Sequence, residues 1–293
     1  MLHRKILAGL FSSALFFGTA LAQNQAVFTT ADFPGAVSTA VEGINPSGDI
    51  VGLYVDTSGS QHGFLQSGGN FTSIVYPGAI ATDARGISPG GDIVGSYTNA
   101  PGGPANIHGY LLSHGTFSEV QVPGYLGTIA QRITPTGHIY GCSHDYDFMA
   151  NMRGFVRNPD GSYPPVLDVP SSMSNGATPD GSLVVGLYTD LTTGLTHGFF
   201  LRNGNFEPFD VPSSNLTQAW DINPLKQVVG HFRDTTGSFH GFLLSKGQFT
   251  TLDFPGAMNT QARGLNPGGD IVGWYIDASG KQHGFLRSVA GRD

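Results

Sequence analysis

The residues best suited to chemistry in this sequence are histidines that stand in a repeated His-Gly-Phe triplet. Five copies begin with histidine and one with arginine, at His62, His108, Arg153, His197, His240 and His283. Because imidazole is the commonest metal ligand and a frequent general base, regularly spaced histidines first suggest a metal or acid-base site. Whether they can form one depends on the elements that carry the triplets.

The triplets belong to a repeat that extends over most of the chain. A Val-Gly-x-Tyr-like motif precedes each triplet and recurs every 43 to 46 residues, with its glycine at Gly52, Gly95, Gly141, Gly186, Gly230 and Gly273. Each unit contains four strand-like segments: a small and polar first strand ending in Gly-Ile-Asn, the glycine strand, the triplet strand, and a fourth strand that ends at proline. Turn sequences such as Asn-Pro-Gly-Gly connect them. A period of this length is typical of propeller blades.

The order of the motifs predicts how the ring closes. The chain opens with a fourth-type strand at Phe28–Ala36 and ends after a third-type strand at His283–Ser288. The last unit therefore lacks a strand that the start of the chain can supply. We predict an all-β, six-bladed β-propeller of four-stranded antiparallel blades, closed by the N-terminal strand completing the last blade.

The first residues predict secretion. Arg4 and Lys5 precede an apolar run and an Ala-Leu-Ala cleavage site, so residues 1–22 read as a signal peptide. We predict a single domain at 23–288, a tail at 289–293, no membrane span after signal removal, and a monomer outside the cytoplasm, either extracellular or periplasmic. The net charge of −7 argues against nucleic acid and anionic membranes as partners.

Propeller geometry excludes a shared metal site for the triplet histidines. Neighbouring strands lie about 4.8 Å apart, so the third strand of a blade stands roughly 10 Å further from the axis than the first. Zinc needs its nitrogen ligands within about 2.1 Å of one ion. We therefore predict no metal and no cofactor, and expect the histidines to bond within their blades to aspartates of two kinds: Asp56, Asp190, Asp234 and Asp277 in turns, and Asp32, Asp168, Asp210 and Asp253 after the fourth strand.

The innermost strands offer a better candidate site, because equivalent residues come close together near the axis. The position three residues before the Asn of Gly-Ile-Asn varies among the units, whereas its neighbours are regular. It is occupied by Glu42, Arg85, Gln131, Asn175, Trp220 and Arg263. We interpret these residues as a ligand-binding ring at the channel mouth, with an exposed Trp220 suited to a sugar or a peptide. The alternative is an unconstrained solvent-exposed column.

A second candidate is the long loop between the second and third strands of unit three. It breaks the repeat pattern at Cys142, His144, Asp145, Asp147 and Arg153. The polar residues could hold a cation, act in acid-base chemistry, or simply be solvated, since their spacing matches no metal signature. Functional residues often lie on such loops. Cys142 is interpreted as a small packed residue.

The repeat motifs resemble those of extracellular HAF-type repeat proteins. That family is named for a His-Ala-Phe triplet beside Gly-Ile-Asn and Val-Val-Gly-like motifs; here the triplet is His-Gly-Phe and is followed by Asp-Phe-Pro-Gly-Ala. The resemblance covers nearly the whole chain after the signal. It implies a secreted bacterial repeat protein and carries over no catalytic residue.

The favoured function is therefore a secreted, non-enzymatic binding protein whose ligand is an extracellular polysaccharide or peptide. One alternative is a hydrolase or lyase acting on extracellular polysaccharide, for which two carboxylates would be needed about 5 to 10 Å apart. Glu42 with Asp145 or Asp83 are the candidate pairs. Another alternative is a structural surface component, which predicts no pocket on the loop face.

Overall fold

The computed structural model describes residues 26–146, 152–165 and 169–289. Within these ranges the chain is almost entirely strand and turn, and the helical structure is one 3-10 turn at Pro104–Asn106. No helix in these ranges is long and apolar enough to cross a membrane. The predicted signal peptide and most of the predicted tail lie outside the described residues.

The first strand, β1 (Ala26–Thr30), does not pair with its neighbour in sequence. The next eight strands form two antiparallel sheets of four, each in simple chain order. The first contains β2 (Ser38–Ile44), β3 (Ile50–Val55), β4 (Gln61–Ser67) and β5 (Asn70–Ile74). The second contains β6 (Ala81–Ile87), β7 (Ile93–Thr98), β8 (Ile107–Ser113) and β9 (Thr116–Val120).

The middle of the chain forms a three-stranded and an eight-stranded sheet. The three-stranded sheet contains β10 (Gly127–Ile133), β11 (Ile139–His144) and β12 (Arg153–Arg157). The eight-stranded sheet contains β13 (Ser172–Ala177), β14 (Leu183–Thr189), β15 (Thr196–Arg202), β16 (Asn205–Phe209), β17 (Leu216–Ile222), β18 (Val228–Arg233), β19 (Phe239–Ser245) and β20 (Gln248–Leu252). Its two antiparallel halves meet at one parallel residue pair, Thr196 with Leu216.

The last sheet joins the two ends of the described chain. It contains β21 (Asn259–Leu265), β22 (Ile271–Ile276) and β23 (Gln282–Val289), with β1 as its fourth strand. β1 runs antiparallel to β23, with Ala26 opposite Val289 and Thr30 opposite Phe285. The strand at the start of the repeats therefore pairs where the sequence predicts.

The predicted all-β, propeller-like architecture of four-stranded antiparallel sheets is confirmed, but six equal and separate sheets are not observed. Three sheets have four strands, whereas the others have three and eight. In unit three the segment expected to be the fourth strand contains Pro164, Pro165 and Pro170. Proline has no N–H to donate to a strand ladder, which explains the missing strand among the described residues there.

The core lies between and within the sheets and is built from the repeat motifs themselves. The aromatic residue of each triplet is almost completely buried, at Phe64, Tyr110, Phe155, Phe199, Phe242 and Phe285. In the first sheet this ring packs against Gly52 on the neighbouring strand. A Cβ added to Gly52 would lie 2.0 Å from Ala40 O and 2.8 Å from the Phe64 ring, so the motif requires glycine for close approach.

The triplet histidines bond inside their own sheets, which confirms the prediction for four of them. His283 Nδ1 lies 2.6 Å from Asp32 and its Nε2 lies 3.2 Å from Asp277. His240 likewise contacts Asp253 and Asp234. The single pairs are His62 with Asp56 and His197 with Asp210. His108 differs, because Asn99 and Gln121 are its partners. Asp168 lies outside the described residues.

Candidate functional site

Each of the six variable residues is the extra residue of a β-bulge in an innermost strand. Val41 pairs with Gly52 and Gly43 pairs with Val51, so Glu42 has no opposite residue. The same register shift occurs in the other five inner strands. A bulge redirects the side chain it carries. We call the six residues the bulge ring: Glu42, Arg85, Gln131, Asn175, Trp220 and Arg263.

The bulge ring is buried, so the predicted exposure of this column is wrong. Trp220 is only 7% exposed and Asn175 is fully buried. The two arginines are the most exposed members, with 19% of the side chain exposed for Arg85 and 12% for Arg263. The reason is geometric: the bulges lie where inner strands are closest, so the side chains pack against each other instead of facing solvent.

One half of the bulge ring is organised by Arg263. Its guanidinium carbon lies 3.8 Å from the centre of the Trp220 ring and 5.6 Å from that of Trp274, distances typical of cation–π contacts. Its Nε is 3.8 Å from Glu42 Oε2, an ion pair without hydrogen-bond geometry. Burial lowers the pKa of Arg263 to about 10, with Glu42 acting in the opposite direction, so the group is still charged at neutral pH.

The other half is organised by a well-formed ion pair. Arg85 donates two hydrogen bonds to Asp83, at 3.0 and 2.8 Å, and a longer one of 3.4 Å to Gln131 Oε1. Asp83 also accepts from the main chain and hydroxyl of Ser96. Burial opposes the charge on Arg85, but Asp83 and Glu42 outweigh it and raise its pKa above the ordinary value.

Several polar atoms of the bulge ring lack hydrogen bonds. Within the described residues these are the acceptors Glu42 Oε2 and Asn175 Oδ1 and the donors Nε and Nη1 of Arg263. The amide nitrogen of Asn175 is satisfied, since it donates to Ala219 O at 2.8 Å. Native proteins satisfy nearly all buried polar groups, so a cluster of unpartnered ones marks a place where other groups can bind.

Two charged residues at the centre of the channel, Arg132 and Asp221, were not predicted from the sequence. They follow the bulge residues of units three and five, in the column where the other four units have glycine: Gly43, Gly86, Gly176 and Gly264. Arg132 Nε lies 3.3 Å from Asp221 Oδ2. Burial raises the pKa of Asp221, and Arg132 opposes that shift. Two opposite charges in a glycine column were the signal that could have identified this pair.

Arg132 and Asp221 form the floor of a funnel on the turn face. Its volume is about 100 Å³, and its wall is made of aliphatic residues and a ring of prolines, Pro46, Pro89, Pro135, Pro179, Pro224 and Pro267. This funnel opens where the inner strands end, on the face opposite to the one predicted for ligand binding. No bulge-ring residue lines it.

The unit-three loop is only partly described, and Asp147 lies outside the described residues. His144 is fully buried, and burial lowers its pKa to about 4, with Asp145 acting in the opposite direction. Asp145 accepts a hydrogen bond of 3.3 Å from Leu126 N. Arg153 donates to Met152 O at 3.0 Å. The described residues of this loop therefore contact the fold, and Met152 lies in the same buried apolar cluster as Trp220 of the bulge ring.

Cys142 is a packed residue, as predicted. It is completely buried in an apolar cluster with Ile129, Leu187 and Trp220. Burial raises the pKa of the Cys142 thiol to about 12, and Arg85 only partly offsets this. Because the thiolate is the nucleophilic form, a thiol in this environment is unreactive at neutral pH.

Among the described residues, no group of three or more His, Cys, Asp and Glu side chains is arranged to hold a metal ion. No protein-family model matches the sequence. No curated protein matches it either.

Solved structures with the same fold exist at low identity. TolB from Acinetobacter baumannii superposes with a TM-score of 0.61 at 13% identity, covering 84% of this chain and 65% of that chain, so this chain spans about two thirds of its length. A gluconolactonase from Xanthomonas campestris has a TM-score of 0.59 at 14% identity, covering 92% of each chain. Aleuria aurantia lectin has a TM-score of 0.53 at 10% identity, covering 88% of this chain and 93% of that chain. At these identities the similarity establishes a shared propeller fold.

Proposed function

We propose that this chain is a secreted, non-catalytic binding protein built of HAF-like repeats, and that its ligand is a neutral, hydroxyl-rich sugar unit of an extracellular polysaccharide. Binding takes place at the bulge ring, from the loop face. One observation carries the proposal: the ring contains unpartnered donors and unpartnered acceptors side by side. A hydroxyl group can satisfy both, because it donates one hydrogen bond and accepts two.

In this proposal the strands form six blades closed by β1. The eight-stranded sheet counts as two blades, because each half has its own bulge and a single residue pair joins the halves. The three-stranded sheet counts as one, since β10 carries the same bulge as the other inner strands. Six bulges around one axis support six blades with one ligand-facing residue each.

The charge of the channel favours a neutral ligand. Three carboxylates, of Glu42, Asp83 and Asp221, and three guanidiniums, of Arg85, Arg132 and Arg263, lie in or beside it. A buried ion needs a counter-charge, and each of these already has one. An anionic or cationic ligand would leave one charge unpaired, whereas a sugar hydroxyl would not.

The Arg263 side chain is the element that admits the ligand. Its contacts with Glu42 and with the Trp220 ring include no hydrogen bond to either. It can therefore move at lower cost than Arg85, which Asp83 holds with two hydrogen bonds. Movement of Arg263 uncovers the free carboxylate oxygen of Glu42. Trp274, which is half-buried beside Arg263, replaces buried Trp220 as the surface on which a sugar stacks.

The hydrolase or lyase alternative has weaker support. A general acid or base needs a lone pair free for the substrate. Both oxygens of Asp83 accept hydrogen bonds from Arg85 and Ser96, and Asp145 is bonded to the main chain of Leu126. Glu42 has a free oxygen but no second free carboxylate in contact with it among the described residues.

The test is a glycan array of neutral and acidic polysaccharides, with a peptide array beside it, probed with mature protein. We expect binding to neutral glycans and a loss of at least tenfold in affinity for Trp274→Ala and Arg263→Lys, since lysine cannot reproduce the planar stacking of arginine. Two controls should bind normally: Arg202→Lys at an exposed strand end, and Tyr146→Ala, whose aromatic ring is 80% exposed on the unit-three loop.

Three outcomes would contradict the proposal in different ways. Binding that survives Trp274→Ala and Arg263→Lys but is lost in Tyr146→Ala would move the site to the unit-three loop. Selective binding of peptides would exclude the sugar. Release of reducing ends from a bound polysaccharide would show that the protein is an enzyme.

A further inference from the structure

The inner strands present a cluster of oxygen atoms to the channel centre. Four main-chain carbonyl groups, those of Glu42, Arg85, Gln131 and Arg263, converge on one point together with the carboxylate of Asp221. The carbonyls belong to bulge residues of four different sheets, so this arrangement exists only in the closed ring. Converging carbonyl and carboxylate oxygens are what proteins use to bind cations.

The guanidinium of Arg132 occupies this oxygen cluster. Its Nη1 donates to Arg85 O at 2.5 Å and to Gln131 O at 2.9 Å. Its Nη2 donates to Glu42 O at 2.8 Å and, at closer range, to Arg263 O. Its Nε faces Asp221 at 3.3 Å. A guanidinium has five N–H groups in a planar fork. Four of them have a carbonyl oxygen here, and Nε lies beside the Asp221 carboxylate as an ion pair without hydrogen-bond geometry.

Units one and two leave no room for a side chain in the column that Arg132 and Asp221 occupy in units three and five. A Cβ added to Gly43 would lie 2.6 Å from Arg85 O, and one added to Gly86 would lie 2.8 Å from Gln131 O. These are the same carbonyl groups that Arg132 uses. The glycine column therefore keeps the carbonyls exposed to the axis, and one long side chain from unit three reaches them.

We propose that the channel centre is a cation site of the guanidinium class, formed by four carbonyl groups and Asp221, and that Arg132 is its built-in ligand. The bound side chain ties units one, two, three, five and six together at the axis. It also separates the bulge ring from the turn-face funnel, so a ligand that enters from the loop face reaches the bulge ring but not the funnel.

The proposal is tested by removing the side chain and supplying its head group. Arg132→Gly restores the glycine found in four other units. We expect its Tm to fall by on the order of 10 °C, the loss typical of breaking a buried ion pair. Guanidinium chloride or methylguanidinium at low millimolar concentration should then restore at least half of that loss in a saturable way. Wild-type protein and Arg202→Gly should show no such recovery, and neither KCl nor urea should replace guanidinium.

Several specific results would contradict the proposal. Recovery of Arg132→Gly with KCl as large as with guanidinium would show a general salt effect, and an unchanged Tm would show that the site is not occupied in solution. Stronger recovery with CaCl2 than with guanidinium would assign the site to metal ions. If Arg132→Gly does not fold, the yield of refolded protein with and without methylguanidinium replaces the Tm. Adding Asp221→Asn to Arg132→Gly should reduce the recovery, and full recovery in that double variant would remove Asp221 from the site.

Discussion

Replacement of Phe28 by alanine is the most direct test of ring closure by β1. Phe28 packs against Phe254 and Phe285, with ring centres 5.6 Å apart in both cases. The equivalent residue on β20, Phe249, packs against Phe242 at the same 5.6 Å. Both strands make five residue pairs with their partners. Phe249→Ala is therefore a matched control with the same local loss of packing.

The expected loss of local packing is the same for the two variants. A half-buried phenylalanine with aromatic neighbours contributes about 2 to 3 kcal/mol to the free energy of unfolding. For a domain of this size that corresponds to a fall in Tm of about 4 to 12 °C. In a thermal unfolding experiment we expect the decrease in Tm of both variants to lie within this range.

The variants should differ in local opening. Thr30 pairs with Phe285, 255 residues further along the chain, and holding such distant segments together costs about 5 kcal/mol of chain entropy. β19 and β20 are joined by the two residues Lys246 and Gly247, so detaching β20 frees little of the chain. In Phe28→Ala the free energy that holds β1 against β23 should be smaller by about 2 to 3 kcal/mol. The rate of amide hydrogen exchange in β23 should therefore rise by about 30- to 150-fold.

Hydrogen exchange followed by mass spectrometry measures this difference. The peptide containing β23 should exchange faster in Phe28→Ala, while the peptide containing β19 should change much less in Phe249→Ala. If β23 exchanges as slowly in Phe28→Ala as in wild type, although the two variants melt alike, then β1 does not hold the ring closed and the reasoning is refuted.

Three further predictions concern the buried repeat positions. Gly230→Ala should lower the free energy of unfolding by about 3 kcal/mol, because its Cβ would lie 2.0 Å from the main-chain oxygen of Gln218. Gly68→Asn is the control: Gly68 has a φ of 54° and no atom near its would-be Cβ, so this variant should have the Tm of the wild type in thermal unfolding. Burial, together with the charge of Arg263, lowers the pKa of His231, so below about pH 6.5 the unfolded chain binds a proton that the folded protein does not. The free energy of unfolding should therefore decrease as the pH is lowered below about 6.5, by up to ~1.4 kcal/mol per pH unit. In urea unfolding, His231→Gln should reduce this slope, whereas the exposed His114→Asn should not. Cys142 should react with a thiol reagent about 1,000-fold more slowly in the folded than in the unfolded protein, since burial raises its pKa to about 12; equal rates would show that the site opens readily.

Much of the architecture could be predicted from the sequence because it depends on local patterns. Strand alternation, turn residues and the recurring glycine each act over a few residues, so one blade can be interpreted from its own motif. The pairing of His283 with Asp32 was also predictable, although the two residues are far apart in the chain. Their positions in the repeat match those of His240 and Asp253, which are close in sequence.

The bulge ring shows where this reasoning failed. The sequence indicated that Glu42, Trp220 and their equivalents differ from unit to unit, but it gave no information on whether they face solvent or the axis. A bulge shifts the register by one residue and so reverses the direction of a side chain. Trp220 was expected to be exposed and is buried, because the direction depends on how neighbouring inner strands meet.

The sequence by itself determined the repeat, the four strand types of each unit and the strand at the chain start that completes the last sheet. These follow from the spacing of glycine, histidine and proline along the chain. Only the tertiary structure decided which residues meet at the axis. Arg132 and Asp221 come from units three and five. Arg132 also donates hydrogen bonds to the carbonyl groups of Glu42 and Arg263, which the side-chain types of those two residues do not predict. Main-chain oxygens are present at every residue, so residue types alone do not reveal their convergence, which arises only when the ring closes.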